Sequence, residues 1–216
     1  MILGFIGGTG PEGKGLAYRF ALAGHEVIIG SRSAERGADA AREVAERAPN
    51  ATVRGAPNVD AAREATIVLI TLPFEGQADT LPALRDALAG KIVVSAAVPL
   101  SFESGRLVMP AVPEGSAAEQ AQALLPRARV VGAFQNLGAS KLWKSDAALD
   151  QDVIVTSEDG EAKRAVMSLA GEIRGVRAVD GGPLAASHFV EGITALLIGV
   201  NRSYKKTTGV RIVGLE

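Results

Sequence analysis

The chain has 216 residues, with 23 Lys and Arg against 24 Asp and Glu for a formal net charge of −1. That length suits one large domain or a nucleotide domain with a small appendage, and the near-neutral charge gives no reason to expect nucleic acid. Cysteine is missing from the sequence, which excludes disulfides, thiolate catalysis and cysteine-held metal.

In chain order, the first element is an apolar run, Ile2-Leu3-Gly4-Phe5-Ile6, that breaks into Gly7-Gly8-Thr9-Gly10-Pro11-Glu12-Gly13. Gly8, Gly10 and Gly13 fit G-x-G-x-x-G, and Leu16, Ala17, Phe20 and Ala21 then recur at helical spacing until Gly24. A second apolar run, Val27-Ile28-Ile29, follows. Strand, glycine turn, helix and strand form the unit that seats a dinucleotide's pyrophosphate on a helix N-terminus. Thr9, Pro11 and Glu12 lie in the turn, where backbone N–H groups carry most of the phosphate binding. The Glu12 side chain is expected to point away. Beyond the second strand stand Ser31, Arg32 and Arg36. An NAD site usually offers a carboxylate there, whereas a hydroxyl and two guanidinium forks suit a 2′-phosphate, so the expected cofactor is NADP(H).

Apolar runs continue to alternate with helical patterns, which predicts a doubly wound, Rossmann-type α/β fold with a mainly parallel sheet and a small C-terminal extension. Helices are expected at 34–48 and 59–63, with a short strand at 52–54 between them. A strand at 66–72 is followed by a helix at 76–88 and a strand at 91–95. Residues 101–115, rich in Gly, Pro and Ser, read as a long loop. A helix at 116–125, strands at 130–134 and 152–156, a helix at 160–173 and a strand at 176–179 lead to an apolar terminal helix at 185–201. The expected organisation is a single compact unit, with residues 1–125 as the dinucleotide core and 126–216 completing an acceptor pocket. The N-terminal run is too short for a signal peptide, and the longest apolar stretch, residues 193–200, is too short to cross a bilayer. A cytoplasmic protein without a membrane partner is expected.

In such sheets, ligands lie outside the carboxyl ends of the strands. Three strand ends therefore matter. The fourth carries Leu72 and Pro73, assigned to the dinucleotide; the fifth carries Val98 and Pro99; the sixth carries Gln135, Asn136 and Leu137. All are poor in acids and bases. His25 precedes the second strand on the far side and reads as structural, while His188 opens the terminal helix. No Tyr-x-x-x-Lys pair is present, so the pocket suits hydride transfer without a catalytic side chain or a metal.

Several segments together resemble the NADPH:coenzyme F420 oxidoreductases. They are Gly7 to Ala17, Gly24-His25-Glu26, Gly30-Ser31-Arg32, Lys91 to Ser95 with Val98-Pro99, Gly115 to Glu119, Val166 to Leu169 and Asp180 to Leu184. The resemblance implies direct hydride exchange between NADP(H) and the deazaflavin F420. It also implies that Val98, Pro99, Gln135, Asn136 and Leu137 hold the deazaflavin, and that the C-terminal helices pack together in a homodimer. Related proteins often carry histidine where this chain has Gln135, which hydrogen-bonds but holds no positive charge. Two alternatives stay open at this level: an NADPH-dependent reductase of another small acceptor, and a non-catalytic NADP-binding regulator.

Overall fold

The computed structural model describes residues 1–144 and 146–215. Strand β1 (Ile2–Ile6) leads through the glycine turn into α1 (Pro11–Leu22), and β2 (Glu26–Ser31), α2 (Ala34–Arg47), β3 (Val53–Pro57), α3 (Asn58–Glu64) and β4 (Ile67–Ile70) follow. A short helix α4 (Gln77–Thr80) is flanked by 3₁₀ turns at Phe74–Gly76 and Leu81–Leu84, and β5 (Ile92–Ser95) comes next. The remaining elements are β6 (Ser101–Glu103), β7 (Arg106–Val108), α5 (Ala117–Leu124), β8 (Arg129–Gly132), α6 (Ala139–Lys144), β9 (Gln151–Val155), α7 (Gly160–Gly171), β10 (Val176–Asp180) and α8 (Ser187–Tyr204).

Six strands form a sheet in the order β3-β2-β1-β4-β5-β8, all parallel. The central strands are apolar at consecutive positions because both faces are covered. Leu3, Phe5, Leu69 and Val94 join a core under α1, α2 and α7. Ile6, Ile28, Val68, Ile70 and Val93 join another under α3 and α5. The order reverses direction between β1 and β4, which places the ligand crevice there.

The structure departs from the sequence expectations at four places. The helix expected at 76–88 survives as α only over Gln77–Thr80, because Pro82 removes a backbone donor and its ring crowds the preceding turn. The expected loop at 101–115 contains the β6–β7 hairpin. Its turn is made by Ser104 and Gly105, both at positive φ (48° and 78°), as a two-residue hairpin requires. Among the described residues, strands β9 and β10 pair only with each other, touching the main sheet through a Gly132–Thr156 bridge. Helix α6 was not expected at all.

The terminal helical segment, residues 184–204, is long and apolar enough to cross a bilayer by length and composition, where the shorter run 193–200 suggested otherwise. Its polar side chains tie it to the body of the protein instead. Glu191 accepts from the Ala117 and Ala118 N–H groups at the start of α5 at 3.0 and 3.2 Å, and Thr194 donates to the Gln135 carbonyl at 2.9 Å. Burial pushes the Glu191 carboxyl up to about 7.

Helix α1 reaches across the fold through Arg19, which is 3% exposed. Its guanidinium donates to the carbonyls of Leu142, Lys141 and Ala147 at 2.8, 2.8 and 2.9 Å. This fork binds the end of α6, whose Trp143 ring lies under the Arg47 guanidinium at 4.6 Å. Arg19→Met keeps the volume and removes all three donors. Orphaned helix-end carbonyls should cost about 2–3 kcal/mol. Thermal denaturation should show a Tm lowered by roughly 5–10 °C.

Candidate functional site

A cleft of about 660 Å³ opens at the carboxyl ends of the strands. It is lined by Gly7 and Thr9 to Glu12 after β1, Ser31 to Ser33 and Arg36 after β2, Thr71 to Phe74 after β4, and Ala96 to Val98 after β5. Every dinucleotide residue expected from the sequence lies on this cleft except Gly8 and Gly13, which shape it from beneath. Asn58, at the start of α3, was missed; its Oδ1 accepts from the Gly7 N–H at 3.2 Å and pins the turn.

Gly10 and Gly13 do different work. A Cβ on Gly13 would sit 2.6 Å from the Gly8 Cα, so glycine there lets α1 start directly against the turn. A Cβ on Gly10 would meet nothing within 4 Å; the space beside it belongs to the cleft. Helix α1 has Gly10 as N-cap without a side-chain cap, so the Glu12 and Gly13 N–H groups lack an intrahelical partner and attract an anion. Pro11 contributes no donor.

The other end of the cleft carries the basic pair. Ser33 caps α2 by accepting from the Arg36 N–H at 3.4 Å, and Ser31 Oγ accepts from the Ser33 N–H at 3.2 Å. This places the Ser31 hydroxyl, Arg32 and Arg36 together. Neither arginine has an ion pair among the described residues, leaving both forks for a phosphate.

A second pocket, about 300 Å³, adjoins the first and shares Glu12, Ala96 and Val98 with it. Gln135, Asn136, Leu137, Gly138 and Ala139 form one wall, and Thr194, Leu197, Ile198 and Asn201 of α8 form another. The α8 wall was missed by sequence reading, although Thr194, Leu197, Ile198 and Asn201 sit at helical spacing. Gln135 and Asn136 are 5% and 3% exposed. All four of their amide N and O atoms are buried without a hydrogen-bond partner. Buried amides are nearly always satisfied, so these point to a ligand with both donors and acceptors. Phe134 holds this pair in place from a left-handed backbone (φ 73°). Its buried ring packs edge-on against Phe20 at 5.8 Å, and such strain persists where the surroundings fix it.

Two expectations resolve differently. Pro99 lines a separate apolar pocket with Met109, Val112 and His188, apart from Val98. Glu12 does not turn away from the cleft; its carboxyl lies between the two cavities, with Oε1 buried and unpartnered. His25 is buried and bonded to Glu172 at 2.7 Å, far from both pockets.

The sequence model described as NADP oxidoreductase, coenzyme F420-dependent, matches residues 2–99. The F420-dependent NADP reductase of Methanocaldococcus jannaschii is 44% identical, with all of both chains covered. That of Methanothermobacter thermautotrophicus is 41% identical, covering all of this chain and 96% of the other. A crystal structure provisionally named an F420-dependent NADP reductase, from Arthrobacter sp. FB24, superposes with a TM-score of 0.84 at 27% identity over 98% of each chain.

The two glycines give separable outcomes. Gly13→Ala should destabilise the fold by about 2–3 kcal/mol through overpacking. Gly10→Ala should cost less than about 1 kcal/mol as an N-cap change, yet weaken NADPH binding by about tenfold or more, ~1.4 kcal/mol. Calorimetric melting and fluorescence titration read the two effects.

Proposed function

The chain belongs to the coenzyme F420-dependent NADP oxidoreductases, and from that premise we propose that its two adjoining cavities bring NADP(H) and F420 together for hydride transfer. The deazaflavin and the nicotinamide, when bound, supply the hydride chemistry themselves. The protein supplies approach, orientation and exclusion of water.

Each residue then has a definite task. The Glu12 and Gly13 N–H groups receive the pyrophosphate beside Gly10, with Gly8, Thr9 and Pro11 forming the turn. Ser31, Arg32 and Arg36 hold the 2′-phosphate and discriminate against NAD. Leu72 and Pro73 cover the middle of the dinucleotide. Val98, Gln135, Asn136 and Leu137 hold the deazaflavin, with Pro99 fixing the chain immediately after Val98. The observation that carries this reading is the set of four unsatisfied amide atoms on Gln135 and Asn136, in a pocket that shares a wall with the phosphate cleft. A flat, polar-edged heterocycle satisfies both donors and acceptors there, through hydrogen bonds without the positive charge a histidine could carry. A purely regulatory NADP-binding protein would have no use for this second pocket. No side chain is assigned as an acid or base, and no metal enters.

Residues 126–216 complete the acceptor pocket in this account. Along α8, Phe189, Leu196 and Tyr204 are 73%, 66% and 73% exposed, in one stripe on the side away from Glu191. That apolar stripe supports a homodimer formed through the C-terminal helices, of a cytoplasmic protein.

Mixing the protein with NADPH and oxidised F420 should bleach the deazaflavin absorbance with one NADPH consumed per F420. No turnover anywhere between about pH 5 and 9 would overturn the reading. Arg32→Ala should weaken NADPH about 10- to 100-fold, the loss of one or two charge-assisted hydrogen bonds, and leave NADH nearly unchanged. Unchanged affinity for both would remove the phosphate assignment.

A further inference from the structure

Among the described residues, Glu12 is the one acid placed where the two cavities meet. It lines both, and its Oε1 is shut off from solvent with no hydrogen-bond partner. The first cavity runs from Arg32 and Arg36 past the glycine turn to Ala96 and Val98, the residues it shares with the second. A dinucleotide anchored by its 2′-phosphate at Arg32 and Arg36 and by its pyrophosphate at the N-terminus of α1 therefore extends its reacting ring past the turn toward Ala96 and Val98, the side on which Glu12 also lines the second cavity.

We propose that Glu12 makes this cleft sense the oxidation state of the nicotinamide: its carboxyl keeps a proton when NADPH is seated and releases it when NADP+ brings a positive ring beside it. This rests on the NADP(H) reading above and adds a role for a side chain that hydride transfer itself does not need.

Among the described residues, the surroundings give the carboxyl no hydrogen-bond or ion-pair partner. From the β2–α2 side the charged groups sharing its cleft are Arg32 and Arg36, at the opposite end from Val98. On its own helix, Lys14 is turned away and paired with Glu43 at 2.6 Å. Among the described residues, the sixth-strand segment, α8 and the chain after it present only neutral polar groups to this pocket, Gln135, Asn136, Thr194, Asn201 and Thr208. Burial pushes the Glu12 carboxyl up to about 8, so it is mostly protonated at neutral pH. Pyrophosphate nearby favours the same neutral form, whereas a cationic ring favours the carboxylate. The reduced ring is neutral and leaves the proton in place. The two oxidation states thus pull the same carboxyl in different directions, and linkage turns that into a pH-dependent preference.

Calorimetric titration of the protein with NADP+ and with NADPH, at pH 7 in two buffers of different ionisation enthalpy, measures the protons exchanged. Titration of the 2′-phosphate is common to both ligands and cancels in the difference. Binding of NADP+ should release close to one more proton than binding of NADPH, and Glu12→Gln should abolish that excess. In the wild-type protein alone, affinity for NADP+ relative to NADPH should rise by up to about tenfold per pH unit between pH 7 and 8. Equal proton exchange for the two forms, or an excess that survives in Glu12→Gln, would overturn the proposal while leaving the NADP(H) reading intact. Failure of both forms to bind would overturn both. The titration needs no F420, so its outcome does not depend on the acceptor.

Discussion

The site depends on how closely α1 approaches the turn before it. Gly13 packs on Gly8 with no room for a methyl group, which brings the bare N-terminus of the helix to the ends of β1 and β4. The same helix places Glu12 between the cavities and sends Arg19 into the carbonyls at the end of α6. One rigid element therefore positions the phosphate donors, the partition between the cavities and the Gly138-Ala139 wall of the acceptor pocket. A displacement of α1 would disturb all three together, so the helix is buried along most of its length.

Several features in and around the second pocket carry a cost in stability. Four amide atoms of Gln135 and Asn136 lie buried and unpartnered, Ser95 Oγ at the end of β5 is in the same condition, and Phe134 occupies a left-handed backbone. Each is unfavourable alone by about 1–3 kcal/mol. They are tolerated because the doubly covered sheet beneath them is packed with fully buried Phe, Leu, Ile and Val. Glu191 is a different case, since its carboxyl is buried but supplies the missing acceptor for the first N–H groups of α5. Burial raises its pKa from 4.5 to about 7 despite the two N–H groups, which by themselves favour the carboxylate, so the folded state on balance favours the protonated carboxyl and stability falls as pH rises from about 4.5 through about 7.

The fold was largely legible because its signals are local. Alternating apolar runs and helix caps mark a parallel sheet, and the glycine turn with Ser31, Arg32 and Arg36 lies within 36 residues, so one unit of structure brings them together. What could not be read depends on distant contacts. Glu12 lines a pocket with α8 and the sixth-strand segment, which lie more than a hundred residues away in the chain. Helix α6 has only six residues and is held by Arg19 and Arg47 rather than by its own propensity. The sequence pattern of α8 shows apolar spacing but not that Thr194 and Asn201 face a pocket while Leu196 faces outward. At 101–115, glycine and proline suggested a loop, and the hairpin turn at Ser104-Gly105 was missed because its strands are only three residues each.

Cofactors held in adjoining cavities would pass hydride directly from one to the other, with no side chain exchanging it with solvent. NADPH carrying deuterium at the transferred C4 position, incubated with the protein and oxidised F420 in ordinary water, tests it most directly. The deuterium should appear on C5 of the reduced deazaflavin without dilution. Ordinary hydrogen from solvent at that carbon would contradict it.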